Sequence, residues 1–179
     1  MSGTRIRVVL AAAFAVAVIG TSVAMATGAG ADGPSHLRAH LTGFQETPSL
    51  NSTGQGTLDA TATSSKITFK LTYSGLSGAP LVAHIHVGQR GVAGGVSVFF
   101  CGGGGQASCP AGTSGTVTGT IAAANVVGPT TQGFQAGDLA SVLRAIDAGV
   151  TYANIHTPMF PNGEIRGQIS HGDGEDQND

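Results

Sequence analysis

Three histidines stand where two short alternating runs can bring them to one ion. His84 and His86 lie two apart in Ala83-His84-Ile85-His86-Val87, and His156 ends the run Tyr152-Ala153-Asn154-Ile155-His156. Alternate residues of a strand point to opposite faces, so His84 and His86 share one face while Ala83, Ile85 and Val87 share the other. In the second run Tyr152, Asn154 and His156 share a face opposite Ala153 and Ile155. Two imidazoles at this spacing stand about 6.5–7 Å apart along a strand and can both turn toward one metal. His156 completes the set if the two strands are neighbours with the same face forward. Imidazole nitrogens suit copper, zinc or nickel, and copper or zinc is the cofactor this set implies. Glu46 and Glu164 are weaker candidates, as a fourth ligand or as an acceptor that orients a ring. The alternative is a polar sheet surface without a metal. There the histidines are hydrogen-bonded, Glu164 pairs with Arg166 two residues along, and Asn154 ties down a loop.

Motifs for other chemistry are missing. The chain holds no Gly-x-Ser-x-Gly, no His-Glu-x-x-His and no phosphate-cradling loop. Gly102 to Gly105 has no following lysine and lies between the two cysteines, so it reads as a linker. No catalytic residue is assigned, and the reading leans away from an enzyme. Lys66 and Lys70 are isolated and there is no basic stripe, which argues against nucleic acid as a partner.

The start of the chain carries the marks of an export signal. Arg5 and Arg7 precede an apolar run from Val8 to Ile19, and Ala24-Met25-Ala26 predicts cleavage before Thr27. A later cut after Ala31 is the alternative. The run is too short to span a bilayer comfortably, so no stable membrane span is expected after cleavage. Losing the two arginines makes a chain of formal charge −2 more acidic still. Cys101 and Cys109 are an even pair in an expected oxidising compartment, which favours a disulfide closing a glycine-rich loop.

The elements that must position the histidines read as strands. Residues 27–36 form a small, polar lead-in. Leu37 to Thr42 alternates, and Gly43 to Gly54 holds turn formers. Residues 56–63 and 66–73 form a hairpin through Ser64-Ser65, and Ile67, Phe69, Leu71 and Tyr73 give the clearest inward face. Further strands are expected at 82–87, 96–100, 116–127, 152–157 and 164–169. One helix is predicted over 138–148, with Leu139, Val142, Leu143 and Ile146 on one side and Gly149 closing it. In the last hairpin Ile165 and Ile169 must share the core face with Ala153 and Ile155. That places His156 opposite Glu164, Asn154 opposite Arg166 and Tyr152 opposite Gln168. Residues 171–179 form an acidic tail without apolar side chains, expected to be disordered. Short strands with dense turns make a β-sandwich or barrel, and an antiparallel, Greek-key-like β-sandwich with one short helix is the expected fold.

The order of three motifs resembles the chordin-type, or CHRD, domain. They are Leu-Thr-Gly-Phe-Gln-Glu-Thr-Pro (41–48), Ala-His-Ile-His-Val-Gly (83–88) followed by Gly91 and Val96, and Tyr-Ala-Asn-Ile-His-Thr (152–157) followed by Pro161 and Gly-Glu-Ile-Arg-Gly-Gln-Ile (163–169). The resemblance covers 37–170 and implies a secreted, β-rich, single-domain bacterial member. It supplies no reaction, and without the cysteine-rich repeats found beside the domain in chordin it implies no growth-factor binding. His84-Ile85-His86 is also similar to the histidine-x-histidine strand of copper–zinc superoxide dismutase. The zinc loop and the arginine motif of that family are missing, so no dismutase activity follows. The leading expectation is a monomeric, non-enzymatic binding module outside the cytoplasm, meeting an extracellular or cell-surface protein, a glycan or a metal. The alternative is a copper or zinc metalloprotein, with redox or hydrolytic chemistry at the histidine face.

Overall fold

The computed structural model describes residue 3 and residues 33–172. The expected leader at 1–26 lies outside the described residues except for residue 3, as does the tail beyond residue 172. Among the described residues, no helix is long and apolar enough to cross a membrane.

Among the described residues, nine antiparallel strands and one α-helix follow in chain order. They are β1 (Ser35–Thr42), β2 (Gln55–Thr63), β3 (Lys66–Ser74), β4 (Val82–Val87), β5 (Gly95–Cys101), β6 (Gly115–Ile121), α1 (Leu139–Asp147), β7 (Thr151–His156), β8 (Ile165–Gln168) and β9 (Ser170–His171). All nine belong to one sheet, ordered β5-β4-β7-β8-β1-β2-β3-β6, with β9 added to β1. The end strands β5 and β6 approach each other, and the chain after β6 bridges them where Val127 N donates to Ser97 O at 2.9 Å. The sheet therefore curls until it nearly closes, a barrel-like form of the antiparallel β fold that the alternation predicts. β1 starts at Ser35 and β9 reaches His171, so the ordered domain extends slightly past 37–170 at both ends.

Alternation builds the interior. In β3 every second residue from Ile67 to Tyr73 is buried, and its partners Leu58 and Ala60 of β2 face the same way. Ala83, Ile85, Ala153, Ile155 and Ile165 add the inner faces of β4, β7 and β8 to one continuous apolar core. Each fully buried Leu or Ile contributes about 1.5–3 kcal/mol relative to exposure. Asp138 caps α1, its carboxylate accepting from Ser141 N at 3.0 Å, and Gly149 closes it with φ +67°. Leu139, Val142 and Ile146 drop from α1 into the core, so the stripe read from the sequence is packing. Cys101 and Cys109 form the expected disulfide.

Candidate metal centre

The two histidine strands are neighbours. β4 and β7 pair antiparallel with Val82 opposite His156, His84 opposite Asn154, and His86 opposite Tyr152. Directly opposed residues share a face, so all three histidines stand on the outer side of the sheet. β4 also pairs with β5, and this ladder shifts register at Ala83/His84 and again at Ile85/His86. Such bulges re-aim side chains, and here they bracket His84 and His86.

The outer face is not open to solvent. Three loops fold over it, at residues 43–50, 88–94 and 158–163. Tyr152, Asn154, His156 and Arg166 are all buried on it, and His84, His86 and His156 are only 6%, 8% and 8% exposed. Gly94 lets the second loop double back, since a Cβ there would lie 1.8 Å from Val87 O. Its carbonyl accepts from His86 Nδ1 at 2.9 Å, and its N–H donates to Tyr152 Oη at 3.0 Å. In the third loop, Pro161 O accepts from His156 Nδ1 at 3.0 Å. Two of the three rings are thus fixed through Nδ1–H, which turns Nε2 of each inward. A backbone carbonyl on the far nitrogen is the arrangement that orients metal-ligating histidines.

The inward atoms meet. His84 Nδ1 lies 3.3 Å from His86 Nε2, and since His86 donates through Nδ1 its Nε2 accepts from His84. His156 Nε2 is buried with no hydrogen-bond partner. One nitrogen of each ring lies within 4.8 Å of one of each other ring. With bonds of about 2.0–2.1 Å, two nitrogens on one ion are at most about 4.2 Å apart, so the widest pair closes by a small ring rotation. Burial pushes the His84 imidazole down to about 3, helped by the neighbouring His156 and His86. Burial likewise takes His86 down to about 4, against its bond to Gly94, with His156 and Arg166 adding to the effect. His156 is lowered by burial too, opposed by its bond to Pro161. All three rings are therefore neutral near pH 7, the form that ligates metals.

Aromatic groups wall the site. Phe99 meets His84 edge-on at 4.5 Å between ring centres, and Tyr152 stacks on His86 at 4.8 Å with planes 1° apart. The Arg166 guanidinium sits 3.5 Å above the Tyr152 ring, donates to Gln89 O at 2.8 Å and to Thr47 Oγ1 at 3.2 Å. Sequence reasoning did not assign Tyr152, Phe99 or Arg166 to the site. Tyr152 and Arg166 lie within the motif stretches and on the histidine face, which is the signal that points to them.

The two carboxylates stand apart from the imidazoles. The β7–β8 register is as expected, with Asn154 opposite Arg166 and Tyr152 opposite Gln168. Glu164 N donates to Ile155 O at 2.8 Å, but its carboxylate turns away from His156. It accepts from Ser52 Oγ at 2.7 Å, Ser77 N at 2.8 Å, Ser77 Oγ at 2.6 Å and Thr157 Oγ1 at 2.6 Å. Burial raises its pKa, but the bonds from Ser77, Thr157 and Ser52 outweigh that and hold it below the ordinary carboxylate value. Among the described residues it forms no ion pair with Arg166, correcting the expected pairing. Two residues apart on a strand end, the two side chains reach different loops. Glu46 accepts from Asn154 Nδ2 at 2.6 Å, and burial lifts its pKa to about 7 against that bond, the Arg166 charge and the Thr47 N–H. Gly163 makes this contact possible. Its φ is +124°, and a Cβ would lie 2.8 Å from Glu46 Oε1.

A family model for the CHRD domain matches residues 37–169. No curated protein and no solved structure matches the chain.

Proposed function

The chain belongs to the CHRD domain family, and on that premise we propose that it is an extracytoplasmic protein that binds copper or zinc through His84, His86 and His156. The observation that carries this reading is the buried, unpartnered Nε2 of His156, facing two further imidazole nitrogens within 4.8 Å. A buried polar atom without a partner costs about 1–3 kcal/mol, and an ion at the centre of the triad removes that cost. On binding, His86 and His156 keep their Nδ1–H bonds to Gly94 O and Pro161 O and offer Nε2. His84 moves its proton to Nε2 and offers Nδ1. The disulfide supports a place outside the cytoplasm, where such bonds persist. Export through residues 1–26 belongs to the same proposal.

The test is a titration of metal-free protein with Cu(II) and Zn(II), read by thermal shift and by bound metal after gel filtration. One equivalent is retained by the wild type and none by the H84A/H86A/H156A variant. No thermal shift with either ion removes the reading.

A second reading, a non-enzymatic binding module, is favoured by a cleft of about 280 Å³ lined by Glu46, Pro48, Leu50, Met159, Phe160 and Pro161. Met159 is 68% exposed at its rim, an apolar side chain left open to a partner. Substituting Met159 with serine leaves metal binding intact and weakens a partner held by the cleft. A pull-down in which M159S captures the same partner with the same strength contradicts this second reading.

A further inference from the structure

Resting on the copper-or-zinc reading, we infer that the triad is built for a monovalent ion, Cu(I), in preference to Zn(II) or Cu(II). Three features of the site point this way.

The first is charge. A divalent ion taken into a buried site demands counter-charge, because the desolvation of an ion is repaid only by opposite charge or strong dipoles. The triad offers three neutral rings. Among the described residues, the metal-ligating groups gathered at the triad are the three imidazoles, with no carboxylate among them. Glu164 is wrapped by two serines and a threonine, and Glu46 is turned to Asn154. The charge stacked behind the triad has the wrong sign. Arg166 lies over Tyr152 and Tyr152 stacks on His86, so a positive charge stands behind that ring. A single positive charge on the ion meets less of this opposition than a double one.

The second feature is shape. Among the described residues, the three histidines are the whole set of metal-ligating side chains gathered here. Three nitrogens around one ion make a trigonal set, which Cu(I) accepts as complete. Zn(II) on three histidines takes a water as its fourth ligand, and Phe99 and Tyr152 wall this site against one.

The third feature is rigidity. His86 and His156 are pinned through Nδ1, and His84 is held by Phe99. Phe99 is itself backed by Gly103 and Gly104, where an added Cβ would lie 2.6 Å from its ring. A set fixed in this way allows small ring rotations but resists the larger rearrangement to the tetragonal geometry that Cu(II) favours.

The experiment compares affinities on the intact, disulfide-bonded protein. Cu(I) is supplied as its acetonitrile complex under argon and measured by competition with bicinchoninate. Zn(II) and Cu(II) are measured by competition with chromogenic chelators. Cu(I) binds at least about 100-fold more tightly than Zn(II), the scale of a unit charge at intermediate dielectric. R166Q narrows that ratio by about tenfold, and R166K, which keeps the charge, restores it. If Zn(II) binds at the three histidines as tightly as Cu(I), this inference is overturned and the metal site stands. If H84A/H86A/H156A binds Cu(I) as well as the wild type, the ion lies elsewhere and both readings fall. If neither ion binds the wild type, both fall as well.

Discussion

The outer face of β2 and β3 and the outer face of β4 and β7 belong to one sheet and have opposite characters. On β2 and β3 burial alternates along nearly every residue, and threonine, lysine and aspartate stand in solvent. On β7 all six residues are buried, and on β4 five of six are. The alternation in sequence is similar in both regions. The difference is what lies above. Three loops cover the histidine face and none of its polar groups is left to bulk water, so each must find a partner inside. On the open face, water supplies the partners and the side chains are interchangeable. A covered polar face is costly to build, and His156 Nε2, a buried atom without a partner that lies beside two further imidazoles, is where a ligand is expected.

Substitutions should expose this contrast, beginning with the largest effect. Glu164→Ala leaves two serines and a threonine without their buried acceptor, and a loss of about 3–5 kcal/mol is expected in denaturant unfolding. Asp59→Ala on the open face removes an exposed pair with Arg38 at 3.6 Å. It should cost less than about 1 kcal/mol, and equal losses at the two sites would erase the comparison. Gly163→Ala sets a side chain at φ +124° against Glu46 and Asn154. About 2 kcal/mol or more should be lost, with the thermal midpoint reporting it.

Acid acts most strongly on the covered face. His84 and His86 are held at about 3 and about 4 in the fold, below the unfolded value of 6.5, so the unfolded state binds their protons first. Stability of the metal-free protein is then complete above pH 6.5 and falls as the pH drops toward 4. The loss is on the order of 2 kcal/mol at pH 5 for each of these two histidines. Glu46 works in the opposite sense, since its folded value of about 7 lies above the unfolded 4.5 and its protonated form favours the fold below that value. E46Q should therefore steepen the acid loss seen between pH 7 and pH 4.5. A flat unfolding free energy over that range in the wild type would contradict the burial of the triad. The smallest effect is expected from Thr68→Val on the open face, within about 0.5 kcal/mol of the wild type by the same unfolding assay.

Much of the fold was legible because period-2 alternation is a local signal. The β2–β3 hairpin, the helix between Asp138 and Gly149, and the β7–β8 register all follow from it. The face shared by His84, His86 and His156 follows too, given that β4 and β7 pair. What alternation does not carry is the cover. Nothing in Tyr152 to His156 alone says that both faces are buried, because that depends on loops arriving from residues 43–50, 88–94 and 158–163. For the same reason the sequence placed Glu164 beside His156 by register, while Ser52, Ser77 and Thr157, brought close only in the fold, draw its carboxylate away. Arg166 was read as its ion partner and instead lies over Tyr152, a contact across strands that has no spacing signature. The near-closure of the sheet depends on β5 meeting β6, also a long-range event.

Anomalous diffraction from crystals grown with copper reads whether the three imidazoles hold one ion. One peak is expected, about 2.0–2.1 Å from each of His84 Nδ1, His86 Nε2 and His156 Nε2. A peak on other residues, or none within bonding distance of the triad, would contradict it.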